Sequence, residues 1–401
     1  MDSLTQITLG AAVGEVVLGK KAGNKAMIWG AIGGTLPDLD VFANLAADEI
    51  SALAFHRAIT HSIFFALLAP IALGWLIHHL YRNGPGSKWW RQWLLVWFSL
   101  SALILLGAAV MPIPIQGGIS IAGTVGFSLV FLPAIIAISR WLRKKDVWEG
   151  ASQREWTLLF FLAIFTHPLL DACTTYGTQL WQPFSNYRVA LNNISVVDPL
   201  YTLPFLICVM IASFLHREKR ARRIFNLTGL VLSCTYLLFT FYNKYRVNNI
   251  FTQSLDKKGI LYERFRTSPT IFNNILWQGL AESDSVFYEG EYSLLDAKPE
   301  IPSFRVVPKN HHLINGHETD REVAILRWFS NDYFTLEVSN NQLYYYDLRF
   351  GSLPGKTPEE RSFVFKFLLE IEDGEIRARQ SSAPPETEGA FQSLWERMKG
   401  R

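Results

Sequence analysis

The 401-residue chain has only three cysteines, Cys173, Cys208 and Cys234, and no CxxC pair. An odd count without paired spacing excludes a disulfide framework and a thiolate metal knot; each sits in or beside an apolar segment and reads as a core residue. Charge of one sign is also scarce, since 38 Lys and Arg oppose 35 Asp and Glu for a net +3. No whole basic surface exists, so no nucleic-acid partner is expected. The opening MDSLTQ carries an acid where a secretory signal carries basic residues, so a cleaved signal is not expected. Beyond about Lys244 long apolar runs are missing, and the tail has the mixed polarity of a globular domain.

Before Lys244 the composition reverses, and it accounts for the chain's 49% hydrophobic residues, high for a purely soluble protein. Crossing a bilayer takes roughly 20 apolar helical residues. Residues 62–81, 93–111, 119–142, 199–216 and 224–242 meet that length with almost no charge, and 156–172, broken by Pro168, reads as a sixth span. The apolar stretches 4–18 and 26–36 predict a re-entrant or short-helix hairpin, with the glycine runs 10–14 and 30–34 suited to close helix packing. Lys and Arg concentrate in three connections, around Arg82, Lys88 and Arg91, around Arg140 to Arg154, and from Arg217 to Arg223. The positive-inside rule makes those cytoplasmic and puts residues 37–61, 171–198 and the tail outside. The expected fold is thus an all-α multi-pass membrane domain over residues 1–245, followed by a β-rich extracytoplasmic domain over 246–401. In the tail, 286–295, 323–329, 333–338 and 343–350 read as strands, with turns at Asn331-Asp332 and Asn340-Asn341. Residues 380–388, rich in Ser, Pro and Glu, read as loose before a short terminal helix.

Ionisable residues beside apolar spans are costly and are functional candidates. Asp38 and Asp40 lie in GTLPDLDVF, where extended backbone after Pro37 sets both carboxylates to one side, as a hard-ligand pair or as an acidic turn. His56, Arg57 and His61 lie in FHRAITHS; five-residue spacing does not align the two histidines on one helix face, and either alone also fits an interfacial residue. His167 and Asp171, in FTHPLLDACTTYG, share a face at four-residue spacing, as ligands or as a buried His satisfied by an Asp. Asp198 in NNISVVDPL suits a ligand, a carboxylate orienting a metal-bound imidazole, or the cap of a helix starting near Pro199. Arg188 is the strong cation of an otherwise unbasic loop and can meet a phosphate oxygen. All of these fall at one membrane face by a topology built only from span length and basic bias. A mixed set of imidazoles and carboxylates suits Zn²⁺ or Mn²⁺, as one or two ions. His311, His312 and His317 in KNHHLINGHE read as a solvated loop, and Glu15 either faces the site or pairs with Lys20 or Lys21.

MDSLTQITLGAAVGE, GAIGGTLPDLDV, HRAITHS, THPLLDACTTYGTQLWQPFS and NNISVVDPLYTLP, in that order, resemble the bacterial family of membrane-bound metal-dependent hydrolases also described as LexA-binding inner-membrane proteins. The resemblance covers roughly residues 1–241 and leaves out the tail. That family is similar to the zinc-dependent phospholipase C and P1-nuclease group, in which a helical domain holds a metal cluster that cleaves phosphoesters. The resemblance implies that Asp38, Asp40, His56, His61, His167 and Asp171 are metal ligands. Some members carry a His near the amino terminus where this chain has Gln6, which implies a weakened metal position here.

The expected activity is hydrolysis of a phosphoester in a lipid or lipid-linked molecule at the outer face of the bacterial inner membrane. Metal would activate a water, Asp38 or Asp171 would accept its proton, and Arg57 and Arg188 would steady phosphate charge. Trp181, Phe184 and Tyr187 would meet membrane lipid. The alternative is a metal-ion transporter or a scaffold whose tail binds a protein partner. Transporters hold ions near the bilayer midplane, whereas these candidates gather at one face, which favours the enzyme.

Overall fold

The structure, a computed structural model, describes residues 1–45, 48–82, 150–354, 361–381 and 390–400. Contacts divide the chain into two units, residues 1–70 with 158–401, and residues 71–157. The first holds the candidate residues and the whole described tail.

Its helical part starts with a hairpin. Asp2 caps α1 (Ser3–Ala22) by accepting from the Thr5 backbone N–H, and α1 turns at Gly23 into α2 (Asn24–Thr35). The two helices cross backbone on backbone: a Cβ on Gly10 or Gly14 would land on the carbonyl of Gly30 or Ala26, and one on Gly34 would meet the carbonyl of Gln6 at 2.8 Å. Only glycine permits that approach. It sets Gln6, near the start of α1, beside Gly34, at the end of α2. A 3-10 turn (Leu36–Leu45) carries Asp38 and Asp40, α3 (Glu49–Phe55) ends at His56, a second 3-10 turn (Ile59–His61) follows, and α4 spans Ile63–Arg82. Helix α5 (Gln153–Ala172) contains Pro168, and α6 (Pro199–Phe214) pairs with the long α7 (Arg220–Lys257). Glu15 is buried against Arg222 of α7, two hydrogen bonds joining carboxylate to guanidinium, rather than facing the site or meeting a neighbouring lysine. Arg222 also donates to Asn24, so the turn of the hairpin sits at the amino-terminal end of α7.

The expected set of six spans needs correction. Among the described residues one helix, α7, is long and apolar enough to cross a membrane, and a second candidate exists only if residues 49–61 and 63–79, bent by 61°, count as one span. Helix α6 has 16 residues, about 24 Å at 1.5 Å each, short of a hydrocarbon core of about 30 Å. The purely apolar part of α5 is shorter than the helix, because its last turns carry Thr166, His167 and Asp171. The expected spans 93–111 and 119–142 lie outside the described residues.

The tail contains two four-stranded antiparallel sheets, each in sequential order: β1 (Arg264–Pro269), β2 (Leu276–Glu282), β3 (Val286–Ser293) and β4 (Arg305–Pro308), then β5 (Phe334–Ser339), β6 (Gln342–Pro354), β7 (Arg361–Glu372) and β8 (Glu375–Gln380). Asn340 and Asn341, both at positive φ, make the tight β5–β6 turn. The segment 323–329, expected as a strand, is helix α8 (Arg321–Ser330): Val323, Leu326 and Phe329 recur at helical spacing on its buried face. A last helix, α9, spans Ala390–Met398. The segment expected to be loose falls mostly on 382–389, outside the described residues.

The tail's packing reaches well into the helical residues. Val247, Ile250, Phe251 and Leu255 of α7 share a core with Trp277, Tyr292 and Ile301, and Ile50 of α3 is buried among Val323, Leu326, Leu336, Tyr345 and Phe367.

Candidate metal centre

Three segments bring four donor atoms to one place: Asp38 from the 3-10 turn, His61 from the second 3-10 turn, and His167 with Asp171 from one face of α5. His61 Nε2 and His167 Nε2 are 3.0 Å apart. Asp38 Oδ1 lies 3.4 Å from the first and 3.3 Å from the second, and Asp171 Oδ2 lies 3.4 and 3.5 Å from them. A tetrahedral ion with bonds of about 2.0–2.1 Å sets its donors roughly 3.3–3.4 Å apart, so the five distances fit the edges of such a site.

Hydrogen-bond accounting gives the same answer independently. His167 Nδ1 lies 2.6 Å from the carbonyl oxygen of Gly34, which can only accept, so the imidazole donates there and, when neutral, turns a bare lone pair on Nε2 into the cluster. His61 Nδ1 faces Thr60 Oγ1 at 3.2 Å and Asp40 Oδ2 at 3.3 Å, while Thr60 gives its own proton to Asp40. That imidazole too, when neutral and donating from Nδ1, presents a bare Nε2. Asp171 Oδ2 is buried with no hydrogen-bond donor. With both imidazoles neutral, four acceptors converge with no proton among them, an arrangement that a bound cation reconciles. The residues fit a divalent metal, and they are already oriented by the partners that metal-bound histidines generally have.

The surroundings hold the carboxylates ionised. Burial raises the Asp38 carboxyl, but His167 and His61, when their Nε2 atoms carry protons in place of an ion, more than offset this and keep it well below the usual range. Asp171 is likewise held low despite full burial, by the charge of Arg57, then by the Met1 amine and His167. Its Oδ1 takes a hydrogen bond from Gln6 Nε2 at 3.0 Å and pairs with the Met1 amine. Gln6 thus sits at the edge of the cluster as a donor to Asp171.

Of the other candidates, Asp40 stands behind the donors. It accepts from the Arg57 backbone N–H at 2.8 Å, pairs with His56 Nδ1 at 2.9 Å and faces His61. His56 itself is outside the set of four, its side chain 30% exposed. Arg57, left-handed at φ 61°, turns its backbone to Asp40 and its guanidinium inward, 3.2 Å from Asp171 Oδ2, where Nη1 donates to Thr174. A non-glycine residue held there stores roughly 1–3 kcal/mol of strain, which these contacts must offset. Arg188 donates to the carbonyls of Tyr176 and Gly177 and lies against Tyr176, Trp328 and Phe329; burial lowers its pKa to about 10. Asp198 caps α6, accepting from the Leu200 and Tyr201 N–H groups and from the Tyr236 hydroxyl, and is not brought to the four. Sequence reasoning missed Tyr176, whose ring centroid lies 4.8 Å from the Arg57 guanidinium and 4.7 Å from that of Arg188; THPLLDACTTYG placed it near the site but offered no sign of those contacts.

The family model of the YdjM inner membrane protein matches residues 1–110 and 124–247, more than half of the chain. The chain belongs to that family. It is therefore an inner membrane protein, and all four converging donors but only part of the described chain fall within the matched residues. No curated protein matches the chain, and no solved structure does.

Proposed function

We propose that the chain is a membrane-bound, metal-dependent hydrolase that cleaves a phosphoester of a lipid or lipid-linked molecule at the outer face of the inner membrane. The observation that carries it is the meeting of four ligand-type atoms, two imidazole nitrogens and two carboxylate oxygens, within 4.8 Å of one another. His61, His167 and Asp171 are the fixed holders, their side chains 0–1% exposed, while Asp38 is 19% exposed and marks the side from which substrate reaches the centre. A divalent ion there, Zn²⁺ by donor type, supplies Lewis acidity toward a phosphoryl oxygen and brings a water's pKa to about 7. Asp40 keeps His61 in the right tautomer, Arg57 restrains Asp171, and His56, fixed on Asp40, stays open to solvent. Trp181, Phe184 and Tyr187 stand exposed on the loop after Asp171, suited to a lipid surface.

The outer-face assignment rests on one helix. Arg220, Arg222 and Arg223 open α7 and the tail follows its other end, so basic bias puts the tail outside. The Glu15–Arg222 pair ties the hairpin turn to the basic end, which leaves Gln6, Gly34 and the metal centre toward the tail.

The test is metal analysis of the full-length protein purified in detergent, with phosphodiester and phospholipid substrates assayed beside it. The expected result is about one divalent ion per chain and turnover that a chelator abolishes. A complete set of four protein donors also describes a structural ion; stoichiometric metal without turnover on any phosphoester would leave that reading, and a partner-binding scaffold, in place of the hydrolase.

A further inference from the structure

The loop that carries His56, Arg57 and His61 meets the tail on two sides, once through α3 and once through Tyr176. On one side α3, which ends at His56, buries Ile50 in the tail's core, and its Glu49 carboxylate accepts from the Gln380 backbone N–H at 3.0 Å. On the other stands Tyr176. Its ring contacts Phe329 of α8 edge-on at 5.1 Å and Phe350 of β6 at 6.4 Å, meets His56 at 5.1 Å, and carries the Arg57 guanidinium at 4.8 Å. Arg57 in turn is the cation beside Asp171 and the source of the backbone N–H that Asp40 accepts.

We infer that Tyr176 is a positioning residue of the metal centre, the contact through which the tail, outside the family's matched residues, sets Arg57 and with it the two carboxylates that flank His61. The inference rests on reading the four donors as a metal centre. A guanidinium against an aromatic face is restrained in both place and tilt, and Arg57 also carries backbone strain that packing must hold. Without the ring, the guanidinium loses its backing and the loop from His56 to His61 loses one of its two supports. Residues that orient ligands are typically worth 10–100-fold in metal affinity, while the ions' direct holders stay unchanged. Arg57 lies against the ring, and the hydroxyl's partner is Arg188, so phenylalanine should hold Arg57 as well as tyrosine does.

The experiment uses full-length protein in detergent and compares Tyr176→Ala, Tyr176→Phe and Phe287→Leu, the last a tail-core change at a residue that packs with Leu280, Val307, Tyr333 and Leu348. Measured are Zn²⁺ affinity, the visible spectrum of the Co²⁺-loaded protein, amide exchange across residues 55–62 without metal, and the thermal midpoint. Tyr176→Ala should weaken Zn²⁺ binding about 10-fold or more, alter the Co²⁺ spectrum and speed exchange, with Tyr176→Phe matching wild type. Phe287→Leu should lower the thermal midpoint and leave the other three readings alone. Wild-type affinity, spectrum and exchange in Tyr176→Ala would overturn the inference, as would the same losses in Phe287→Leu. Faster exchange in Tyr176→Ala, in a protein whose wild type binds no ion, would instead sink the metal reading and keep the coupling.

Discussion

Histidines gather in two regions of this chain, and the two are built in opposite ways. In the tail, His311 Nε2 lies 3.0 Å from the Phe334 carbonyl while its ring stacks on the Phe334 ring at 3.9 Å, and His317 pairs with Asp320, which also accepts from the Ile376 backbone N–H. There each of these imidazoles gives an N–H to an acceptor of the protein, the Phe334 carbonyl or the Asp320 carboxylate. At the candidate metal centre, two imidazole nitrogens and two carboxylate oxygens face one another, the His167 Nδ1–H being spent on the Gly34 carbonyl. Histidine density therefore does not mark the site; the missing protons do. The tail's carboxylates repeat the contrast, since Glu282 accepts from Lys309 and Arg264, and Glu289 from Arg305.

The sharpest way to break that comparison is to delete one imidazole on each side. His61→Ala and His167→Ala should each strip most bound metal from the purified protein while leaving it membrane-inserted, because each removes one of four donors and touches no part of α7. His311→Ala and His78→Ala should keep wild-type metal. Equal metal content in all of them, read by elemental analysis, would erase the distinction between the two regions.

Next in size is the link between the regions. Ile50, 1% exposed in the tail's core, should cost about 2–5 kcal/mol of stability as Ile50→Ala, seen as a lower thermal midpoint. An unchanged midpoint would mean that α3 does not belong to that core. Smaller again, Asp40→Asn should weaken metal binding about 10–100-fold while leaving the donors in place, because it removes the carboxylate facing His61 Nδ1. Asp198→Ala separates a cap from a ligand: the expected cost is about 1 kcal/mol of stability with metal content unchanged. Metal loss in that variant would draw Asp198 back to the centre.

The smallest effect concerns the tail's answered carboxylates. Burial raises the Glu282 carboxyl, but hydrogen bonds from Lys309 and Arg264 more than offset it, so its folded pKa is depressed. A depressed carboxyl contributes stability that is present above its unfolded pKa and lost as pH falls through the folded value. Below roughly pH 4.5 the wild type should therefore lose somewhat more stability than Glu282→Gln, by less than about 1 kcal/mol. Acid titration of both, followed by thermal unfolding, would expose an error if the two curves stayed parallel.

By itself the sequence determined the residue types of the centre, the glycine-lined hairpin, the tight Asn340-Asn341 turn and the presence of strands after Lys244. These are local properties, carried by spacing, by the absence of a Cβ, or by tolerance of positive φ. It did not distinguish a span from an apolar helix that ends in a site: 156–172 reads as a span until the polar last turns of α5 acquire partners. Nor did it separate strand from helix at 323–329, where β-prone residues also match helical spacing and burial decided. Which candidates meet was left wholly to tertiary structure. Asp38, His61, His167 and Asp171 come together while Asp40, His56 and Asp198 do not, because a ligand set depends on where lone pairs point. That direction is imposed by groups distant in sequence: the Gly34 carbonyl on His167, Asp40 on His61, Arg57 on Asp171, and Tyr176 with the tail behind Arg57.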